Sequence, residues 1–454
     1  MTAAAPAVPS TVLQKRLGLP FAIAIMAGSV IGAGILRTPG VVANEVPVFW
    51  AAMAVWALGG VYVLLSVNVA SELTTALPRA GGIYVPVREA FGDGLGLLAG
   101  WAMWAGGAAG MAALSLAFAE FLAVAVPAMS PFTAPVAVAA LLMVTGFNAI
   151  GAEEGRISNI VGLALKLLLL SGVIVAAFTL ESSGPSSAGS AASSVSPGEA
   201  AIGWIAFITA FQIVLGAYDG WQAPTFFAEE DKDPARNIPR AFFVSAVMLI
   251  AIYLAINLSV FTVLDVETLR GSDLPVALLI ETLLGPVGLK ITGLSAAIMA
   301  LLTLNAIIMA QPRILYGMAR DGLFLHSAML VNRGGTPWVA LLIGAVVAIP
   351  MILTGAYVFV FKIQVAAGLL AAVLYNAAYF ALRLKRPHMP RPFRAIGHPV
   401  LPTLILAITI ALFAAVVIAD PVSGLWVAGL IGVCVPVGIH LGHERRKIGT
   451  IGHI

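Results

Sequence analysis

The chain has 454 residues, of which 60% are hydrophobic and only 10% charged, whereas a soluble globular protein carries roughly a quarter charged residues. Water therefore cannot be the main solvent of this surface, and a mean hydropathy of +1.02 fits a protein dissolved in lipid. The single cysteine excludes an intrachain disulfide and a thiolate metal cluster, and six histidines without close pairing leave no zinc site.

Apolar stretches of about 20 residues recur from Leu17 to Leu441, the length needed to cross a ~30 Å hydrocarbon core. In chain order they predict twelve spans, near 17–43, 47–77, 93–126, 132–152, 157–181, 201–228, 241–265, 286–318, 337–355, 358–384, 399–420 and 422–442. The opening segment places its positive charge, Lys15 and Arg16, after a small-residue run and before a full-length span, so a removable signal peptide is not expected. With the N-terminus inside, basic residues from Lys15 through Arg313 and Arg320 to Arg446 and Lys447 fall in inner loops. Only Arg37, Arg270 and Lys290 fall outside, which is the positive-inside asymmetry and puts both termini in the cytoplasm. Lys166 and Lys362 belong to no loop.

The first span contains Gly28, Gly32 and Gly34 within the stretch GSVIGAGI. Glycine costs about 1 kcal/mol against alanine inside a helix, so such clustering predicts a local opening. Backbone freed in lipid must be satisfied by protein, water or ligand. The freed N–H groups at the start of the following half-helix suit a carboxylate, and freed carbonyls suit an ammonium group. Close packing of helices on small residues is the alternative for this span taken alone. Gly216, Gly220 and Pro224 interrupt the sixth span in the same way, where a five-plus-five inverted repeat places a partner break.

Lys166 lies ten residues beyond Arg156 in the apolar run IVGLALKLLLLSGVIV, about 15 Å along a helix. A cation there costs roughly 2.5–3.5 kcal/mol on insertion scales, which favours the bundle interior. It is either a fixed or titrating functional charge or a structural tie between helices. Asp219, in YDGW, is the other charge at membrane depth, placed to cap a broken helix or to move a proton. Tyr218 and Trp221 flank the break and are lid candidates or ordinary packing aromatics. Lys362, near the outer end of its span, is expected to snorkel. Asn305 and Gln311 either line a pathway or bond across helices. The run SSGPSSAGSAASSVSPG reads as a flexible outer loop, and VETLRGSDLPVALLIETLL as an amphipathic outer helix. No nucleophile elbow, phosphate loop or basic–aromatic face is present, so neither an enzyme nor a nucleic-acid binder is expected.

Four features together resemble the amino acid–polyamine–organocation superfamily: GSVIGAGI; PRAGGIYVPVREAFG at 78–92; YDGW with the following EEDKDPARNIPRA; and PRILYGMARDG at 312–322, trailed by RPFRAIGHPVLP. YDGW is similar to its L-type amino acid transporter branch. The resemblance implies an all-α membrane protein with a LeuT-like fold. A cytoplasmic tail (1–16) precedes a first repeat of helices 1–5 (17–181), with helix 1 broken. The outer loop (182–200) leads to a second repeat of helices 6–10 (201–384), with helix 6 broken. An inner loop and two further helices (385–442) and a cytoplasmic tail (443–454) complete the chain.

The resemblance further implies alternating-access transport of an L-amino acid across the plasma (cell inner) membrane, with no cofactor and no metal. The backbone N–H groups of Ala33 and Gly34 would hold the substrate carboxylate, and the carbonyls of Val30, Gly216 and Asp219 its ammonium. Lys166 would stand where sodium-dependent relatives hold a cation, giving a sodium-independent uniporter, exchanger or proton-linked carrier of neutral amino acids. Ala33 replaces a common serine. Gly216 replaces the usual gating phenylalanine, leaving space for a bulkier side chain or passing the gate to Tyr218 or Trp221. The outer loop near Pro127 to Pro131 lacks the cysteine that joins a heavy chain in animal relatives, so no disulfide-linked partner is expected. A polyamine or cationic amino-acid carrier, and a receptor that binds without transporting, are the alternatives.

Overall fold

A computed structural model describes residues 12–180, 203–272, 274–354 and 357–451. The predicted flexible segment 182–200 lies outside them. Among the described residues the regular structure is helical, without a named strand. The helices are α1 (Leu19–Val30), α2 (Ala33–Glu45), α3 (Phe49–Ala76), α4 (Tyr84–Phe91), α5 (Asp93–Ala125), α6 (Thr133–Ile150), α7 (Ala152–Thr179), α8 (Trp204–Ala217) and α9 (Pro234–Val263). They continue as α10 (Val266–Arg270), α11 (Pro275–Leu284), α12 (Pro286–Ala310), α13 (Pro312–Arg320), α14 (Trp338–Leu353), α15 (Tyr357–Lys385), α16 (Val400–Ala419) and α17 (Pro421–Ile451).

Nine helices among the described residues are long and apolar enough to cross a membrane, and a tenth span results if the bent pair α1 and α2 counts as one. The chain is an integral membrane protein. Two predicted spans are shorter than expected: α8 stops at Ala217, and α14 holds 16 residues. The predicted amphipathic outer helix is two helices, α10 and α11, because Gly271 ends the first and Pro275 starts the second. Beyond residue 442, where a tail was expected, α17 continues as helix to Ile451.

Burial follows the position of each helix. The Gly- and Ala-rich α5 packs against α12, α14, α15 and α17, and small side chains let these helices approach closely. On α7 the buried residues Asn159, Gly162, Leu163, Lys166 and Leu170 recur at helical spacing. They form one inward stripe while the opposite face is apolar and exposed, as lipid requires. Lys166 thus faces the bundle.

Many of the basic residues assigned to inner loops pair with acidic side chains, and Arg313 does so from within a helix. Its guanidinium is buried in α13 and forks onto Glu230, with Nε 2.9 Å from Oε1 and an NH2 group 3.2 Å from Oε2. The low-dielectric interior demands such pairing. Glu229 pairs with Arg320 at 2.6 Å, and buried Glu72 on α3 receives Arg383, Arg391 and the Ala395 N–H. Lys362 is half exposed and lies 3.5 Å from Asp420.

Candidate substrate site

The first break follows from two extended residues. Ile31 (φ −70°, ψ 98°) and Gly32 (φ −144°, ψ −151°) separate α1 from α2, which bend by 42°. Carbonyls that lose helical partners there are taken up by side chains from other helices. The Lys166 ammonium donates to Gly28 O and Ile31 O, each at 2.6 Å, and to Thr303 Oγ1 on α12 at 2.7 Å. All three of its donors are used. The Tyr253 hydroxyl, mid-way along α9, lies 3.0 Å from both Val30 O and Ala217 O. With one proton, it donates to one of them at a time.

Ala217 ends α8, so Tyr253 joins the two breaks. They also touch directly. A Cβ on Gly34 would come 3.1 Å from Ala217 Cα, and one on Gly220 would come 2.9 Å from Ser29 O. Gly220 has φ +105°, a conformation few L-residues adopt, which turns the chain between α8 and the short 3-10 turn Ala223–Phe227. Both predicted interruptions therefore meet at one point, though the second continues as a 3-10 turn rather than as an α-helix.

Two cavities adjoin this point. One, of about 600 Å³ including its mouth, touches Ser29, Gly107, Gly220, Gln311 and Asp219. The other, of about 830 Å³ including its mouth, extends from Gly216, Tyr218, Asp219 and Trp221 to Leu412 and Val416 on α16. Gly216 is among the residues lining it. Asp219 is accessible from both cavities. Its carboxylate accepts from Gln222 Nε2 at 3.4 Å. Gln222 rather than Asp219 holds the N-cap position of the 3-10 turn, and its side chain makes no capping bond there.

Of the remaining candidates, Val30 and Gly34 line neither cavity, and Ala33 opens α2 through its backbone. Tyr218 is buried, its ring 4.7 Å from that of Tyr253 and 6.1 Å from that of Trp56. Asn305 and Gln311 bond across helices: Asn305 Oδ1 accepts from Asn148 at 2.7 Å, and Gln311 Nε2 donates to Trp104 O at 2.9 Å. Tyr253, Thr303, Gln222 and Gln364 escape a reading of the sequence. Tyr253 alone carries a signal, because a phenol within the apolar run LIAIYLAIN needs a hydrogen-bond partner.

Repeated apolar helices long enough to span a bilayer, two of them interrupted where they meet, define a polytopic membrane protein. The family model described as amino acid permease matches residues 17–435. The chain belongs to that family, within the amino acid–polyamine–organocation superfamily. It is 26% identical to the serine/threonine exchanger SteT of Bacillus subtilis (strain 168), covering 96% of this chain and 98% of the relative. It is 27% identical to the b(0,+)-type amino acid transporter 1 of Homo sapiens, over 91% of this chain and 84% of that one. To the large neutral amino acids transporter small subunit 2 of Rattus norvegicus it is 28% identical, over 84% and 72%.

Proposed function

We propose that this chain carries neutral L-amino acids across the cell's plasma (inner) membrane without sodium, by rocking one part of the bundle against another around its broken helices. In this reading both termini are cytoplasmic, and the chain forms twelve spans as two inverted repeats of five with two helices added. It works without a disulfide-linked heavy chain. The observation that carries sodium independence is the Lys166 ammonium, which ties α1, α7 and α12 together at the break. A fixed cation there supplies the positive charge that a bound metal ion would otherwise bring to those oxygens, and holds them through N–H donors instead. The relatives' names, one of them a serine/threonine exchanger and one a carrier of large neutral amino acids, support a neutral substrate.

The substrate carboxylate is assigned to the N–H groups of Ala33 and Gly34 at the start of α2, and its ammonium to the carbonyls of Val30, Gly216 and Asp219. Because Val30 O already faces Tyr253 and Gly34 packs on Ala217, binding requires α2 and α8 to separate slightly. Tyr218 and Trp221, lining the cavity beside Gly216, then move with α8 as the gate. A cationic substrate is the second reading, favoured by the access of both cavities to the Asp219 carboxylate.

Vesicles reconstituted with the protein, loaded with unlabelled amino acids and offered a radiolabelled panel, test the proposal. Time-dependent uptake of neutral amino acids that is unchanged when choline replaces sodium is expected. Binding without accumulation or exchange would leave a receptor, and sodium-dependent uptake would remove the role given to Lys166.

A further inference from the structure

The chain leading into α1 is extended rather than helical, and it touches segments from several other parts of the sequence. Leu13 and Leu17 are buried, whereas Gln14, Lys15 and Arg16 between them are exposed. Leu13 packs among Ala80, Tyr316, Val331 and Met329, which come from the turn before α4, from α13 and from the segment leading to α14. Leu17 is stitched to the segment between the 3-10 turn and α9. Its N–H donates to Glu230 O and its carbonyl accepts from Lys232 N–H, both at 3.0 Å. These bonds make an isolated parallel bridge between Leu17 and Asp231. An extended segment added to another in this way is held by main-chain bonds and positioned by the pockets its side chains fill.

Beneath this segment a stack of side chains runs to the smaller cavity. Glu230, whose carbonyl takes the Leu17 N–H, also holds the Arg313 guanidinium, which lies 4.9 Å over the Phe227 ring. Phe227 in turn meets Phe21 of α1 edge-on at 5.0 Å. Their chain neighbours Phe226 and Ile314 line the cavity, which also touches Ser29 and Gly220 at the breaks. Phe21, Phe226, Phe227, Arg313 and Ile314 are all buried, so packed side chains close the cavity on this side. Leu17 stands two residues before Leu19, where α1 starts. Tilting α1 away from Phe227 therefore pulls on the bridge, whose hydrogen bonds weaken steeply once stretched or bent.

We infer that residues 13–17 are a strap. Paired, it holds the start of α1 against residues 230–232 and keeps this mouth of the cavity shut; it must unpair before the mouth opens. Release uncovers two leucines and a few main-chain groups and leaves α1 intact. In the transport reading given above, on which this rests, the mouth is cytoplasmic and unpairing of the strap is the step that lets substrate pass there.

The first test needs no transport. Purified full-length protein carrying Cys434→Ala is given one reporter, Ile314→Cys in the smaller cavity or Leu412→Cys in the larger, and its reaction with a polar maleimide is timed. Leu13→Asp spoils the apolar anchor, and Leu17→Pro removes the N–H that Glu230 accepts. Each is expected to speed labelling at Ile314→Cys at least about tenfold and to leave Leu412→Cys unchanged. An unchanged rate at Ile314→Cys in both variants overturns the inference, and so does an equal rise at both reporters, which marks general loosening. The second test locks the strap. Leu17→Cys with Asp231→Cys, again with Cys434→Ala, places two thiols across the bridge. Paired backbones stand about 4.8 Å apart, within the roughly 4.4–6.8 Å between Cα atoms that a disulfide spans. Oxidation with copper phenanthroline, its completeness checked by thiol titration, is expected to abolish uptake of labelled amino acids into vesicles, and dithiothreitol to restore it. Full uptake by the crosslinked protein overturns the strap. Absence of uptake by the wild type for every amino acid overturns the transport reading, while the labelling rates still decide whether the strap closes the cavity.

Discussion

Replacing Lys166 by alanine removes three donors at once, yet the deficit left behind is smaller than three bonds. Thr303 Oγ1 already lies 3.0 Å from Ile31 O and 2.9 Å from Met299 O, so it can turn to serve Ile31. Gly28 O is then the carbonyl left without its donor. An unsatisfied buried acceptor costs about 1–3 kcal/mol, and losing the lysine stem adds a void. Against this stands the several kcal/mol of desolvation that the buried ammonium no longer demands. The two sides nearly offset in global stability. They do not offset locally, because the whole loss falls on the α1–α2 break, whose geometry the ammonium holds. We therefore expect thermal unfolding in detergent to move little and substrate binding to weaken modestly. Initial uptake rates in vesicles should fall at least about tenfold, the equivalent of roughly 1.4 kcal/mol in the barrier. Lys166→Met, which refills the void without donors, should lose flux to the same degree. Wild-type rates in both variants at every pH between about 5 and 9, a range bracketing the point where histidine titrates, would reduce Lys166 to a packing residue and refute the reasoning.

Other substitutions probe the contacts between the breaks. Gly34→Val forces its side chain onto Ala217, where even a Cβ stands 3.1 Å from Cα, and should abolish binding and uptake while membrane insertion persists; wild-type affinity would contradict the assigned carboxylate cradle. Gly216→Phe places a ring in the larger cavity and should narrow the range of substrates accepted, as read by competition of labelled uptake with a panel of amino acids; an unchanged range would refute the role of that space. Arg313→Ala leaves Glu230 buried without its cation and should destabilise the protein by about 3–5 kcal/mol in thermal or denaturant unfolding. Replacing both residues together, as Arg313→Met with Glu230→Gln, should recover much of that loss.

The salt links of the basic residues make sense of a pattern that the sequence offers only as charge. Basic residues counted toward inner loops become Arg313 on Glu230, Arg320 on Glu229, and Arg383 with Arg391 on Glu72. The last group ties the end of α15 and the segment after it to α3, and Asn68 extends the tie by exchanging hydrogen bonds with Ile396 N and O. Residue counting assigns these arginines a side of the membrane, but pairing depends on which acidic residue the fold brings within reach.

Composition, span length and the glycine clusters by themselves determined that this chain lives in a bilayer and that its first and sixth apolar stretches are interrupted. Those properties are local or additive: lipid rejects unsatisfied backbone, and glycine weakens a helix wherever it stands. The place of Lys166 midway along its helix was equally legible, because helical rise alone sets it. Its partners were not, since Gly28, Ile31 and Thr303 lie more than a hundred residues away in the chain. Nor could sequence show that Tyr253 bridges the two breaks, or that Asp219 and Gln364 border both cavities. Only the packing of α5, α7, α8, α9, α12 and α15 decided those contacts, because a side chain's hydrogen-bond partner is set by which helix faces it across the bundle and not by its neighbours along the chain.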